Sequence, residues 1–157
     1  MTLPTPPNSA SPTNPGTDSP NASSGARRLI LIVEDHPLVA KFYRMALERA
    51  GNFECLVSEN TEEILSFAVA GEIALAILDV SLNNTFWEGR LMDGIQLAHL
   101  LRERAPQRFP ILLATAHAMA GDRERLMASS GADDYLEKPV YDARYLVEKV
   151  RLLLEGS

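Results

Sequence analysis

Five polar side chains of this 157-residue chain each follow a short apolar run, and together they could hold a phosphoryl group. They are Glu34, Asp35, Asp79, Thr115 and Lys138. Three carboxylates held close together repel one another unless a cation joins them. Mg²⁺ suits such a site, because it prefers a few carboxylate oxygens completed by water and phosphate. A lysine ammonium and a threonine hydroxyl can pair with phosphate oxygens, so the set predicts a phosphoryl site with a carboxylate nucleophile.

The apolar runs that precede these residues predict buried strands, because they are rich in Leu, Ile and Val and are closed by polar or turn-forming residues. The five predicted strands are Leu29–Val33, Phe53–Val57, Ile73–Leu78, Phe109–Ala114 and a run that ends near Leu136.

Longer amphipathic stretches between the runs predict five helices. The first opens at Pro37, with Leu38, Phe42 and Met45 on one face, and the second follows Asn60, the first residue of a capping box. The other three are marked by Asp93 and Gly94, by Met119, Leu126 and Met127, and by Leu146, Val147, Val150 and Leu154.

Strict alternation of strands and helices predicts an α/β fold: a doubly wound, five-stranded parallel sheet flanked by five helices. In such a sheet the carboxyl ends of the strands share one edge, and ligands bind in the crevice at that edge. The polar residues that follow the strands should therefore lie close together, with a backbone carbonyl just past Asp79 as a further oxygen ligand.

The first 26 residues differ in composition from the rest of the chain. Residues 1–26 contain six of the ten prolines, many Ser, Thr and Asn residues, and a single charged side chain, Asp18. Such a segment has too little apolar surface to offset the entropy lost on ordering. We expect a disordered Pro/Ser/Thr-rich tail over 1–26 and one folded domain over 27–157.

Overall composition excludes several classes of protein. The net charge of -6 gives no electrostatic footprint for binding a nucleic-acid backbone directly. The single cysteine, Cys55, excludes a disulfide scaffold and a zinc finger. Neither a signal peptide nor a membrane span is visible. We therefore expect a cytoplasmic protein that binds neither nucleic acid nor membrane.

Five segments in register resemble the receiver domain of two-component response regulators, the fold of the chemotaxis regulator. The resemblance covers residues 28 to about 155. Each segment is a weak indication alone, but their order and approximate spacing match the family. They are ILIVED at 30–35, AILD at 76–79, the turn at 92–94, LATA at 113–116 and GADDYLEKP at 131–139.

The resemblance implies a role for each residue of the predicted site. Asp79 would be the phospho-acceptor, while Glu34 and Asp35 would be the acidic pair that positions Mg²⁺. Ser81 would contribute its backbone carbonyl to the metal, and Lys138 would hold the phosphoryl group. The domain would then catalyse its own phosphotransfer and dephosphorylation.

The resemblance also implies a conformational switch. Thr115 would move toward the phosphoryl group after transfer, and Tyr135 occupies the position of the family's switch aromatic. The Lys138–Pro139 bond resembles one that the family usually keeps cis. Phosphorylation would shift the population of states between the fourth strand and the last helix.

The sequence departs from the family pattern after Asp79. A receiver usually has a short loop with a proline there, whereas residues 82–91 form a longer polar stretch that lacks proline and carries the only tryptophan. This insertion could be a tolerated surface loop, since added loop length costs little entropy. Alternatively, Phe86 and Trp87 could serve as a lid or contact a partner.

Three functions are compatible with these residues. The first is a phospho-accepting response regulator that receives its phosphoryl group from a sensor histidine kinase or phosphotransfer protein and signals to an unknown downstream protein, with a homodimer possible. The second is a receiver-like adaptor that works without phosphorylation. The third, an aspartyl-nucleophile phosphatase, is disfavoured because such enzymes carry a second Asp two residues after the first, where this chain has Ser81.

Overall fold

The computed structural model describes residue 4 and residues 27–116 and 121–156. The predicted tail therefore lies almost wholly outside the described residues, as does Met119 of the predicted fourth helix. The elements, in chain order, are β1 (Leu29–Val33), α1 (Pro37–Arg49), β2 (Glu54–Val57), α2 (Thr61–Val69), β3 (Ile73–Asp79), β4 (Phe86–Trp87), β5 (Arg90–Leu91), α3 (Gly94–Arg104), β6 (Ile111–Thr115), α4 (Asp122–Ser130), β7 (Asp134–Glu137) and α5 (Ala143–Glu155).

Five of the strands form one parallel sheet in the order β2-β1-β3-β6-β7. This is the strand order of a flavodoxin-like doubly wound sheet, in which the order reverses beside the first strand. The predicted architecture of five parallel strands and five helices is confirmed.

Two strands begin later than the sequence predicts, each for a local reason. The fourth strand of the sheet, β6, starts at Ile111 because Pro110 has no backbone N–H to give to the ladder. The second predicted strand along the chain, β2, starts at Glu54 rather than Phe53. The amide of Phe53 instead donates to the carbonyl of Leu47 near the end of α1 (3.0 Å).

The sheet separates two apolar cores. Alternate residues of a strand point to opposite faces, so Leu31 and Val33 of β1 pack with α2 and α3, whereas Ile30 and Ile32 pack with α1 and α5. All four side chains are fully buried. Burying one aliphatic side chain of this size stabilises the fold by roughly 1.5–3 kcal/mol, which makes the central strands a rigid base for the residues that follow them.

The predicted apolar face of α1 is only partly correct, since Phe42 packs against the core but Leu38 does not. Leu38 is 72% exposed, and Phe42 and Met45 are only half-buried. The buried residues of the helix are two alanines, one aromatic and one large aliphatic residue: Ala40, Tyr43, Ala46 and Leu47. Tyr43, Ala46 and Leu47 pack in one core with side chains of β1, β3 and α5, and this tertiary packing decides the face.

The insertion forms a β-hairpin that the sequence analysis does not predict. Strands β4 and β5 are antiparallel, with Phe86 opposite Leu91 and Trp87 opposite Arg90. Between them both turn residues have positive φ, 50° at Glu88 and 78° at Gly89. Positive φ at both central positions is typical of a type I′ turn, whose twist matches a two-residue hairpin.

No helix in the described ranges has both the length and the apolar composition that crossing a bilayer requires.

Candidate functional site

The ends of β1, β3, β6 and β7 bring the predicted residues to one edge of the sheet. Asp79, the last residue of β3, pairs with Ala114 of β6, and Thr115 pairs with Glu137 of β7. The ladder continues for one further step, since the amide of Lys138 donates to the Thr115 carbonyl (2.8 Å). Residues far apart in the chain are thereby fixed by main-chain hydrogen bonds rather than by flexible loops.

Three carboxylates meet at this edge. Glu34, Asp35 and Asp79 each offer an oxygen atom, and these three atoms lie within 4.8 Å of one another. Glu34 and Asp79 are 4% and 5% exposed, while Asp35 is half-buried. Hard carboxylate oxygens gathered at this spacing beside the surface are a donor set that fits Mg²⁺, which binds through a few carboxylates and keeps waters for the rest.

Lys138 contributes the positive charge of the site. Its Nζ lies 2.9 Å from Glu34 Oε2 and 3.3 Å from Asp79 Oδ2. The side chain retains only 17% exposure, so both pairs are shielded from solvent, and the ammonium faces the carboxylates at close range. Glu34, Asp35, Asp79 and Lys138 are together called the acidic cup below.

One lysine does not neutralise three carboxylates, and burial and the neighbouring charges shift the pKa values of Glu34 and Lys138. Burial raises the pKa of Glu34 above its ordinary value and the charge of Asp79 adds to the rise, against the hydrogen bonds from Lys138 and from the His36 amide. Burial alone would lower the pKa of Lys138, but Glu34 and Asp79 outweigh it and raise that pKa. The cup therefore favours a further cation.

The backbone around Asp79 fixes the direction of its carboxylate. The amide of Ser81 donates to Asp79 Oδ1 (3.1 Å), while Oδ2 faces Lys138. Gly94 packs against the same turn, and its amide donates to the Val80 carbonyl (3.0 Å). A Cβ at position 94 would overlap the carbonyl oxygen of Asp79, so the glycine of the predicted turn at 92–94 is required by close approach.

Thr115 and Tyr135 lie on neighbouring strands beside the cup. Thr115 ends β6 and is 5% exposed. The half-buried Tyr135 ring of β7 contacts two cations, with Arg123 Cζ at 5.1 Å and Lys149 Nζ at 5.6 Å from the ring centroid. The Lys138–Pro139 peptide bond is cis, as the sequence analysis predicts.

Two residues near the cup were missed by the sequence analysis. The side-chain amide of Asn83 donates to Asp35 Oδ2 (2.9 Å). Tyr43 of α1 is 1% exposed, and its hydroxyl has no hydrogen-bond partner within the described part of the chain. Burial raises the pKa of Tyr43, and the charges of Glu34 and Asp79 raise it further. The sequence pattern predicts neither feature, because the position of Asn83 depends on the conformation of a loop and the burial of Tyr43 depends on which face of α1 packs in the core.

The fold and the site together define a class of protein. A family model described as the response regulator receiver domain matches residues 30–151. The chain therefore belongs to the response regulator receiver domain family.

The most similar curated relatives include the transcriptional regulatory protein SrrA of Staphylococcus aureus. It is 35% identical over 128 residues, which cover 82% of this chain and 48% of SrrA. The chain thus spans about half the length of this relative.

Solved structures show the same fold. A CheY-like receiver domain from Methanospirillum hungatei JF-1 superposes with a TM-score of 0.66 at 24% identity, covering 83% of this chain and 96% of that one. The chemotaxis protein CheY4 of Vibrio cholerae gives 0.67 at 21% identity, covering 82% and 99%. At these identities the likeness concerns the fold alone.

Proposed function

We propose that this receiver domain accepts a phosphoryl group on Asp79 from a phosphohistidine, as part of a two-component or phosphorelay system. The observation that carries the proposal is the surroundings of the Asp79 carboxylate, which has carboxylate oxygens of Glu34 and Asp35 within 4.8 Å and Lys138 Nζ 3.3 Å from its Oδ2. The site thus combines three groups that phosphoryl transfer uses. Asp79 is the candidate nucleophile, the three carboxylates are the candidate metal site, and Lys138 is a cation that can pair with phosphate oxygens. Asp79 is buried, whereas Asp35 is half-buried and Ser81 is exposed.

In the proposed transfer, a carboxylate oxygen of Asp79 attacks the phosphorus atom while the bond from phosphorus to the donor's imidazole nitrogen breaks. The imidazole leaves with the bonding electron pair and is protonated from solvent. Lys138 would then pair with a phosphoryl oxygen in place of part of its contact with Asp79. Loss of the phosphoryl group to water would regenerate the free carboxylate.

Glu34, Asp35 and Asp79 would hold Mg²⁺, with the backbone carbonyl of Ser81 as a further ligand. When bound, the metal would neutralise charge on the acids and on the transferring phosphoryl group. The spacing of the three carboxylates supports this assignment, because each offers an oxygen atom within 4.8 Å of the other two.

Thr115 and Tyr135 would form the switch. The phosphoryl group on Asp79 would attract the Thr115 hydroxyl from the neighbouring strand, and the Tyr135 ring would change its packing between α4 and α5. Its present cationic neighbours, Arg123 and Lys149, belong to those two helices. A charge added at the cup could in this way alter a surface that another protein reads.

The proposed partners are a sensor histidine kinase or phosphotransfer protein as donor and a downstream protein as target, in the cytoplasm. SrrA is named a transcriptional regulatory protein, and its similarity supports a signalling role.

The proposal is tested by incubating the protein with acetyl phosphate and reading intact mass. Wild type should gain the mass of one phosphoryl group when Mg²⁺ is present and little without it, and Asp79→Asn should gain none. Asp93→Asn is the matched control, because Asn caps a helix about as well as Asp and residue 93 is the N-cap of α3. Labelling of Asp79→Asn equal to wild type would refute the assignment.

A further inference from the structure

The insertion touches the acidic cup through one side chain. Asn83 Nδ2 lies 2.9 Å from Asp35 Oδ2, and the two residues are 48 positions apart. Asp35 is the least buried of the three acids. A hydrogen bond to a carboxylate is stronger than one between neutral groups, so Asn83 restrains the acid that is otherwise freest to move.

The backbone on either side of Asn83 is anchored in the fold. Leu82 is 4% exposed and Thr85 is fully buried. The Thr85 carbonyl accepts from the Met92 amide (2.7 Å), and the Phe86 carbonyl accepts from the Thr61 hydroxyl of α2 (2.7 Å). The amide of Asn83 is therefore presented to Asp35 by a segment with fixed attachments to the core and to a neighbouring helix.

The same segment continues into the hairpin that carries the only tryptophan. Trp87 is half-buried against the core on the α2 and α3 side of the sheet, with Arg104 Cζ 6.0 Å from the ring centroid. Asn83 and Trp87 are four positions apart in the chain, and Thr85 is anchored between them. A change at Asp35 is thus connected to the hairpin through a short and ordered path.

We propose that Asn83 is a positioning residue that holds Asp35 in the orientation required for Mg²⁺ and couples the occupancy of the acidic cup to the β4–β5 hairpin. This inference rests on the proposed function, because it requires Asp35 to be a metal ligand. An ionised carboxylate offers about four lone-pair sites, so Asp35 can keep the bond to Asn83 while another lone pair faces a cation. The hairpin then belongs to the site as a supporting element rather than as a passive insertion.

The test is a ¹H–¹⁵N NMR titration of the full chain with MgCl₂, without any phosphoryl donor. Backbone amides beside Asp35 report binding, and the indole N–H of Trp87 reports the hairpin. Asn83→Ala should weaken Mg²⁺ binding about tenfold, at the lower end of the range for residues that orient metal ligands. It should also abolish the Trp87 shift at saturating Mg²⁺. Asn84→Ala changes a neighbouring asparagine that is as exposed as Asn83 and should behave as wild type in both readouts.

Thermal unfolding without Mg²⁺ separates positioning from general destabilisation. Asn83→Ala should have a midpoint only slightly below that of Asn84→Ala, because it loses one exposed hydrogen bond. Wild-type affinity in Asn83→Ala, or a full Trp87 shift in that variant at saturation, would overturn the inference. A midpoint for Asn83→Ala far below that of Asn84→Ala would also overturn it, because the weakened binding would then follow from a looser fold.

Asp35→Ala distinguishes failure of this inference from failure of the proposed function. If Asp35→Ala binds Mg²⁺ as tightly as wild type, the acidic cup is not the metal site and the proposed function is wrong. If Asp35→Ala loses binding while Asn83→Ala retains it, the metal site stands and only the role of Asn83 is refuted.

Discussion

The acidic cup and the β4–β5 hairpin lie side by side, but different forces fix them. The cup joins residues as far as 104 positions apart, which the parallel sheet brings together. The hairpin is local, since a turn at Glu88 and Gly89 and a few anchors to the core determine its shape. Long-range topology thus assembles the acidic cup, and the local element contacts it through the bond between Asn83 and Asp35.

The largest expected effect is in the cup, at Lys138. We predict that Lys138→Ala lowers the rate of phosphorylation by acetyl phosphate on the order of a thousandfold, the upper range for loss of one charge-stabilising group. The change removes the ammonium beside Asp79. Rates are measured by intact mass over time.

The matched control for Lys138 is Lys149→Ala. Lys149 of α5 is similarly half-buried and also pairs with a carboxylate, since its Nζ lies 3.3 Å from Asp134 Oδ2. Asp134 belongs to β7 and lies outside the acidic cup. Its rate should stay within a few-fold of wild type, and equal losses in the two variants would show that the cup has no special role.

The second prediction concerns the packing of Gly94 against the backbone of Asp79. Gly94→Ala should lower the free energy of unfolding by about 3 kcal/mol, the upper end of the cost of overpacking, because the added Cβ would overlap the Asp79 carbonyl. Urea denaturation measures the change. Gly156→Ala, whose Cβ would meet its nearest atom at an ordinary 3.5 Å, should have little effect, and similar stability of the two variants would contradict the close approach.

A glycine in the hairpin is required for a different reason, and its replacement should cost less. Gly89 has a φ of 78°, and a Cβ at this position would lie more than 4 Å from the atoms of the other described residues. Gly89→Ala therefore introduces only backbone strain of about 1–2 kcal/mol. We expect the change to alter Trp87 fluorescence while leaving the phosphorylation rate near wild type. Gly89→Asn should lose less stability than Gly89→Ala, because Asn tolerates a positive φ better than Ala. Equal effects of Ala and Asn would argue against strain as the cause.

The smallest expected effect is at the outer contact of the hairpin. Arg104→Ala removes the guanidinium beside the Trp87 ring and should cost about 0.5 kcal/mol, as for other exposed cation–π pairs. Arg104→Lys keeps a cation beside the ring and should lower the free energy of unfolding less than Arg104→Ala does. Urea denaturation followed by Trp87 fluorescence measures both, and a larger loss in the lysine variant would exclude this contact as a source of stability.

The site was predictable where it depends on strand ends. Asp79 and Lys138 each follow an apolar run, and parallel topology requires such positions to meet at one edge. The same reasoning places Glu34, Asp35 and Thr115, whose strands lie in the same sheet. Only the pattern of apolar and polar residues is needed for this inference.

The buried face of α1, the hairpin and the bond from Asn83 to Asp35 depend on contacts that the pattern of apolar and polar residues does not predict. The buried face of α1 contains Tyr43 rather than Leu38, because packing in the core shared with β1, β3 and α5 decides which residues are buried. The hairpin requires two successive residues with positive φ, and Glu88 is not a residue that signals such a turn. The bond from Asn83 to Asp35 follows only once the hairpin is in place.

The most direct test of the account is to locate the phosphoryl group itself. The protein is phosphorylated with acetyl phosphate and Mg²⁺, the acyl phosphate is reduced with borohydride, and peptides are sequenced by mass spectrometry. Reduction converts a phosphorylated aspartate to homoserine, and we predict homoserine at position 79 alone. Homoserine at another aspartate, with position 79 unchanged, would contradict the claim that the acidic cup is the phospho-accepting site.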